Sequence, residues 1–181
     1  MNKSMNQESK RIILRPISQS DRTDVFEYRK DYEANKYQGW IPKTIEDVDE
    51  FISKNPSEFN LPETWFQLVI IEKESEKLIG DIGVHFYGDE NQQVELGITL
   101  DKRFQGKGYA TEALTAVIDY LFNKIDKHRI IGSIDPRNSG SIAMMERLGF
   151  RKEAHHKESL FINGEWVDDV IYALLKRDWK S

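Results

Sequence analysis

"RFQGKGYATEAL", the segment from Arg103 to Leu114, has small residues at Gly106, Gly108 and Ala110, directly before an apolar helical pattern. Apolar residues with helical spacing then form one stripe: Ala110, Ala113, Leu114, Val117, Ile118, Leu121 and Phe122. The first N–H groups of a helix lack internal partners and carry partial positive charge, and glycines let an anion approach the backbone. The segment therefore predicts a phosphate-binding turn, assisted by Lys107. A tight strand-to-helix turn without a ligand is the alternative.

Several known glycine-rich phosphate loops do not fit this segment. A P-loop has four residues between its first glycine and a Gly-Lys-Ser/Thr unit. The pair Gly108-Tyr109 does not provide that unit. The dinucleotide fingerprint requires a third glycine where Thr111 stands. A Rossmann domain also places this turn after its first strand, whereas at least four predicted strands precede it here. A different phosphate-containing ligand is therefore indicated.

Composition describes an ordinary soluble domain. The chain has 181 residues, of which 39% are hydrophobic and 31% charged, so one domain is expected. The net charge of −5 argues against nucleic-acid binding through a broad basic face. No apolar window reaches the length of a membrane span, and the N-terminus has no apolar signal region, so we expect no membrane association and a cytoplasmic location. Residues 1–10 are predicted to be a disordered tail, and residues 11–181 the domain.

Metal and thiol chemistry are not expected. The absence of cysteine excludes disulfides, thiolate metal sites and a cysteine nucleophile. His155 and His156 are adjacent on a predicted strand and would point to opposite faces, while His85 and His128 stand alone. We therefore predict no metal site.

The order of predicted elements indicates an α+β fold. Strands are predicted at Arg11–Ile17, Trp65–Ile71, Lys77–Tyr87, Gln93–Leu100 and Arg129–Ile134, followed by a hairpin that turns at Asn163-Gly164. Helices are predicted after Ser20, after Thr44, after the glycine-rich loop and between Asn138 and Gly149. The order β-α-α-β-β-β-α-β-α-β-β predicts one mixed central sheet flanked by about four helices.

Several motifs together resemble one family. "QGKGYA" (Gln105–Ala110) fits the pattern [Q/R]-x-x-G-x-[G/A], the pyrophosphate loop of the GNAT superfamily of acetyl-CoA-dependent N-acetyltransferases. "NSGSIAMMERLGF" (Asn138–Phe150) is similar to the second motif of that family. "RIILRPISQSD" (Arg11–Asp21) and "WVDDVIYALLKRDW" (Trp166–Trp179) resemble the branch that acetylates N-termini of ribosomal proteins. The resemblance spans residues 11–179.

The resemblance implies a binding mode for acetyl-CoA. A splayed strand pair would form the cleft, the pantetheine would contact the backbone of Ile98 and Leu100, and loop N–H groups would wrap the pyrophosphate. Asn138 would hydrogen-bond to the pantetheine. The implied cofactor-binding residues are Ile98, Leu100, Gln105, Gly106, Lys107, Gly108, Tyr109, Ala110 and Asn138. Core packing is the alternative role for Ile98 and Leu100, and helix capping is the alternative for Asn138.

The resemblance also implies direct attack of an amine on the thioester. Glu95 is the best carboxylate for a general base or water-orienting residue, with a solvated strand glutamate as the alternative. Strand alternation places Glu95 and Leu100 on opposite faces unless a bulge intervenes. Many family members carry a tyrosine general acid four residues before the motif glycine, but Met145 occupies that position. Ser141 is the predicted substitute, directly or through water, unless it is only a first-turn helix serine.

The amine acceptor is left partly open. An α-amine has a pKa of about 7.7–8.0 and a lysine side chain one of about 10.4, so an α-amine needs less help to lose its proton. A site with one glutamate and no tyrosine therefore favours a peptide N-terminus. Acetylation of an aminoglycoside or polyamine, CoA binding without turnover, and nucleotide binding are the alternatives. Exposed strand edges would allow a homodimer.

Overall fold

The computed structural model describes residues 5–180, which form one eight-stranded sheet and five α-helices. The strands are β1 (Gln7–Glu8), β2 (Ile12–Pro16), β3 (Thr64–Glu72), β4 (Lys77–Tyr87), β5 (Gln93–Leu100), β6 (Arg129–Ile134), β7 (Arg151–Ile162) and β8 (Glu165–Leu175). The helices are α1 (Arg22–Arg29), α2 (Tyr32–Asn35), α3 (Ile45–Ser53), α4 (Tyr109–Asn123) and α5 (Ser139–Arg147). In this part of the chain, no helix combines the length and apolar character needed to cross a membrane.

The sheet has the order β1-β2-β3-β4-β5-β6-β8-β7. Neighbouring strands are antiparallel except β5 and β6, which are parallel and are joined by a crossover through α4. The predicted α+β class with a mixed central sheet is confirmed. The additional helix is α2, whose single turn is too short to show a periodic pattern in the sequence.

Two hydrophobic cores lie on opposite faces of the sheet. The larger one contains the predicted stripe residues of α4, namely Ala113, Leu114, Val117, Ile118 and Leu121. The smaller one lies beneath α1 and α3 and contains Val25, Tyr28, Val48, Ile52 and Val69. Strand alternation explains the division, since Leu68 and Ile70 on β3 belong to the larger core and Val69 to the smaller.

The predicted disordered tail is wrong for residues 5–10, while residues 1–4 lie outside the described residues. Met5 is fully buried in the larger core, and Gln7 and Glu8 pair with β2 as strand β1. The Ser9 hydroxyl donates a hydrogen bond to Glu112 on α4. One apolar residue in a polar segment leaves no periodic signal, so the sequence pattern could not reveal this anchor.

A buried ionic cluster connects α1 to the centre of the sheet. Arg29 donates from Nε to Asp81 Oδ2 at 2.9 Å and from Nη2 to Asp81 Oδ1 at 2.6 Å. The Tyr28 hydroxyl donates to the same carboxylate, and the Arg29 guanidinium lies over the Trp40 ring at 5.2 Å. Because Asp81 is 1% exposed, its charge is balanced almost entirely by these partners. The cluster holds α1 and the Trp40 loop against β4.

Candidate functional site

Strands β5 and β6 pair only at their first residues and then separate. The registered pairs are Gln93 with Arg129, Val94 with Ile130, and Glu95 with Ile131. Beyond these pairs, Gly97 and Ile98 on β5 and Ser133 and Ile134 on β6 line a small cavity of about 80 Å³. The predicted splayed strand pair is therefore confirmed.

The glycine-rich loop lies at the end of β5 and borders a larger cleft of about 940 Å³. Gly106 has φ +72° and Gly108 has φ +82°, a left-handed conformation that glycine adopts without steric cost. Gly108 is the N-cap of α4. Within residues 5–180, no protein group accepts a hydrogen bond from the backbone N–H groups of residues 106–110. These donors are therefore available to an anionic ligand.

Arg11, the residue directly before β2, holds this loop in place, a role that the sequence did not predict. Its Nη1 donates to the Lys107 carbonyl at 2.9 Å, and its Nε donates to Glu112 Oε2 at 2.7 Å. Its guanidinium also lies 4.3 Å from the centre of the Tyr109 ring. Arg11 and Lys107 are 96 positions apart in the sequence, so no local pattern reveals this contact. Arg11 thus neutralises Glu112, the carboxylate in the first turn of α4.

The predicted loop residues divide into two groups. Gln105, Gly106, Gly108, Tyr109 and Ala110 line the larger cleft. Lys107 is not among the residues that line it; its Nζ lies 5.4 Å from the centre of the Phe104 ring. The Lys107 side chain is exposed beside the Phe104 ring, and its part in phosphate binding, through its N–H group and its charge, stays a prediction.

The carbonyl groups of Ile98 and Leu100 face the open edge of β5, and each has a side-chain donor. Gln38 Nε2 donates to the Ile98 carbonyl at 3.3 Å, and Gln105 Nε2 donates to the Leu100 carbonyl at 2.9 Å. The side chains of Ile98 and Leu100 also pack in the larger core. The core-packing role and a backbone-binding role are thus compatible, and a ligand on this edge would share or displace the two glutamine amides.

Asn138 and Ser141 lie at the start of α5 and line both cavities. Asn138 is the N-cap of the helix, and its side chain accepts a hydrogen bond from the Ser141 N–H at 3.2 Å. Met145 is 5% exposed and lines the smaller cavity beside Gly132. The Met145 thioether cannot donate a proton. The Ser141 hydroxyl can, and it lines the same cavity.

Glu95 lies on the sheet face opposite the larger core. The β4–β5 pairing has no bulge, so Glu95 and Leu100 point to opposite faces as alternation predicts. The Glu95 side chain is 28% exposed, and its Oε2 lies 3.7 Å from Nδ1 of His85. Burial raises the pKa of Glu95, His85 opposes that rise, and the charge of Asp169 adds to it. A raised pKa suits a group that must take up a proton near neutral pH.

Comparison with known proteins agrees with this geometry. The family model described as "Acetyltransferase (GNAT) domain" matches residues 11–151. The uncharacterized N-acetyltransferase YnaD of Bacillus subtilis is 32% identical over 97% of this chain and 99% of its own length. A GNAT-family acetyltransferase structure from Bacillus anthracis has a TM-score of 0.85 and 31% identity, covering 96% of this chain and 99% of that one.

Two shorter matches have named acceptors. The [ribosomal protein uS5]-alanine N-acetyltransferase of Escherichia coli is 43% identical over 46% of this chain and 43% of its own length. The spermidine N(1)-acetyltransferase of Vibrio cholerae is 28% identical over 55% of this chain and 57% of its own length. The resemblance stated from the motifs is confirmed: the chain belongs to the GNAT family of N-acetyltransferases.

Proposed function

We propose that the protein acetylates a peptide N-terminal α-amine, using acetyl-CoA held by the loop at residues 105–110. The observation that supports acetyl-CoA binding in this proposal is the row of loop N–H groups without protein acceptors, within residues 5–180, at the edge of the 940 Å³ cleft. A helix N-terminus of this kind binds anions such as a diphosphate. Gly106 fits the same ligand, since a Cβ there would meet no atom within 4 Å and would project into free space.

The remaining contacts to acetyl-CoA follow from the cleft lining. The backbone of Ile98 and Leu100 and the amide of Asn138 would hold the pantetheine, while Gln105 and Tyr109 border the diphosphate end. Bound acetyl-CoA would supply the thioester. Gly97 and Ser133 border the gap between the splayed strands. This gap connects the two faces of the sheet.

Glu95 and Ser141 supply proton transfer in this proposal. Glu95 takes a proton from the attacking amine, directly or through water, from the face beneath α1 and α3. Ser141, directly or through water, gives a proton to the departing thiolate from the α5 side. The net reaction releases one proton, because the ammonium loses two protons and the thiolate gains one.

The charges around the cleft favour a singly charged acceptor. Within residues 5–180, the three carboxylates that line the two cavities have cationic partners: Glu33 with Lys36, Glu112 with Arg11 and Asp135 with Arg137. A polyamine would have to compete with these partners for its additional positive charges. An α-amine also loses its proton more easily than a lysine or polyamine amine. A spermidine-type acceptor is the alternative, since one relative acts on spermidine.

The proposal is tested by measuring thiol release from acetyl-CoA with peptides bearing free N-termini and with spermidine. We expect peptides to be acetylated with the higher kcat/KM, and mass spectrometry to place the acetyl group on the α-amine. N-terminally blocked peptides that contain lysine are the control. Turnover of spermidine alone would overturn the acceptor assignment, and stabilisation by ATP rather than CoA in a thermal-shift assay would overturn the loop assignment.

Replacing Glu95 by glutamine is expected to lower kcat/KM by about 10²-fold near pH 7, the usual lower range for a general base. The loss should shrink above about pH 8, where an α-amine is already neutral. Pre-steady-state and steady-state rates across pH 6 to 9.5 measure the effect. Glu90→Gln, an exposed residue between β4 and β5, is the matched control. A constant ratio of variant to parent rates across this pH range would remove Glu95 as the base.

Replacing Gly97 by leucine is expected to obstruct the acceptor without affecting the fold. Gly97 is exposed on the same face as Glu95, and a Cβ there would meet no atom within 4 Å. A bulky side chain would therefore enter the path of the amine, and a misplacement of about 1 Å costs about 10²-fold in rate. We expect the smaller Gly97→Ala change to have a milder effect. Parent-like amine kinetics for Gly97→Leu would show that the amine approaches elsewhere.

A further inference from the structure

The proposed base is the last of three residues that are aligned across neighbouring strands of the sheet. Trp65 on β3 is registered with His85 on β4, and His85 is registered with Glu95 on β5. The Trp65 and His85 rings are stacked, with centroids 4.6 Å apart and planes at 7°. The Tyr87 ring, two residues along β4, lies 5.6 Å from the His85 ring, with the planes at 29°. These two rings, here called the aromatic clamp, pack against the imidazole and restrict its orientation.

The Nδ1 atom of His85 is buried and has no hydrogen-bond partner in the described chain. A buried polar atom without a partner is costly, so such an atom requires an explanation. Its neighbour is Glu95 Oε2, at 3.7 Å, which is beyond direct hydrogen-bond distance but close enough for a small movement to connect them. The aromatic clamp directs the unpartnered nitrogen at the carboxylate.

The other charged or titratable groups on this face are held by different partners. Tyr87 OH lies 3.4 Å from Gln93 Oε1. Arg129 on β6 pairs with Glu153 on β7, and Asp169 on β8 accepts from Ser133. From β3, Trp65 brings no charge. Glu95 is thus the carboxylate paired with His85 by geometry.

We propose that His85 is a positioning residue that returns Glu95 to its anionic form by taking the proton Glu95 has removed from the acceptor. This inference rests on the proposed role of Glu95 as base. An N–H bond of the acceptor breaks and an O–H bond forms at Glu95. That proton then moves to Nδ1 of His85 while Nε2 of the ring gives its own proton to water, because Nδ1 is buried. Proton exchange with solvent returns the ring to the Nε2–H tautomer before the next turnover.

The aromatic clamp favours this transfer in two ways. The stacked rings hold Nδ1 toward Glu95, so little reorientation is needed in each turnover. The faces of Trp65 and Tyr87 also attract a cation, which stabilises the imidazolium that forms beside them. The His85 side chain is 24% exposed, so a proton can leave it for water.

His85→Phe and His85→Ala test the proposal together. Phenylalanine keeps a ring packed against Trp65 and Tyr87 but accepts no proton, so we expect kcat near pH 7 to fall about tenfold, less than for loss of the base itself. The CoA affinity, the amine KM and the melting temperature should stay close to those of the parent. Imidazole in the buffer should restore His85→Ala, where the ring position is empty, but not His85→Phe. His128→Phe, at an exposed histidine, is the control.

Each outcome has one meaning. A parent-like pH–rate profile for His85→Phe would show that only ring stacking matters and would overturn the proposal. Glu95→Gln, measured alongside, separates the two hypotheses. If Glu95→Gln is impaired and His85→Phe is not, only the role of His85 fails; if Glu95→Gln is itself parent-like, the proposed base fails first. We expect the double variant to lose no more than Glu95→Gln alone, because both residues act in one path.

Discussion

Gly108→Glu is expected to abolish measurable CoA binding while leaving the protein folded. Gly108 has φ +82° and caps α4, and a Cβ there would lie 3.3 Å from Nη2 of Arg11. A side chain in this left-handed conformation costs about 1–2 kcal/mol. The carboxylate would also stand at the site proposed for the diphosphate, where like charges cost several kcal/mol. The backbone strain lowers stability, whereas the charge repulsion lowers CoA affinity, by more than about 10²-fold in Kd.

Titration calorimetry with CoA measures this change directly, without requiring the acceptor. Gly164→Glu is the matched control, because Gly164 also has a positive φ, +87°, but lies in the β7–β8 turn. It carries the same backbone strain and the same added charge away from the loop. An unchanged Kd for Gly108→Glu would mean that the diphosphate does not contact this loop.

Asp81→Ala is expected to lower the free energy of unfolding by about 3–5 kcal/mol, the usual cost of leaving one member of a buried ion pair without its partner. Arg29 would keep its charge in a site where its side chain is only 10% exposed. The Tyr28 hydroxyl would lose its acceptor as well. For a chain of this length the loss corresponds to a fall of roughly 6–20 °C in melting temperature.

Urea denaturation of the parent and of Asp81→Ala measures the difference in their free energies of unfolding. Glu50→Ala is the control, because Glu50 and Lys54 form a pair whose side chains are 69% and 71% exposed. Such surface pairs contribute about 0–1 kcal/mol. If Asp81→Ala costs no more than this control, the cluster between α1 and β4 does not hold the helix against the sheet.

Much of the fold was predictable because its signals are local. The apolar stripe of α4, the boundaries of β4, β5 and β6, and the left-handed glycines of the loop each depend on residues close together in the sequence. The element order then predicts a mixed sheet. Alternation along β5 also placed Glu95 and Leu100 on opposite faces correctly, since no bulge interrupts its pairing with β4.

The missed features have a different origin. Met5 is a single apolar residue in a polar segment, and α2 has only one turn, so neither produces a pattern. The contact of Arg11 with the Lys107 carbonyl joins segments 96 positions apart, which no local motif encodes.

The family, the position of the glycine-rich loop and the residue types available for chemistry can be read from the amino-acid sequence, because motifs and periodicity are properties of short segments. Contacts between distant groups emerge only from the folded sheet: Arg11 with the Lys107 carbonyl, Asp81 with Arg29, and His85 with Glu95. The physical reason is strand register and helix packing. A shift of one residue in a strand would turn every side chain to the other face, so these contacts exist only once the whole sheet is assembled.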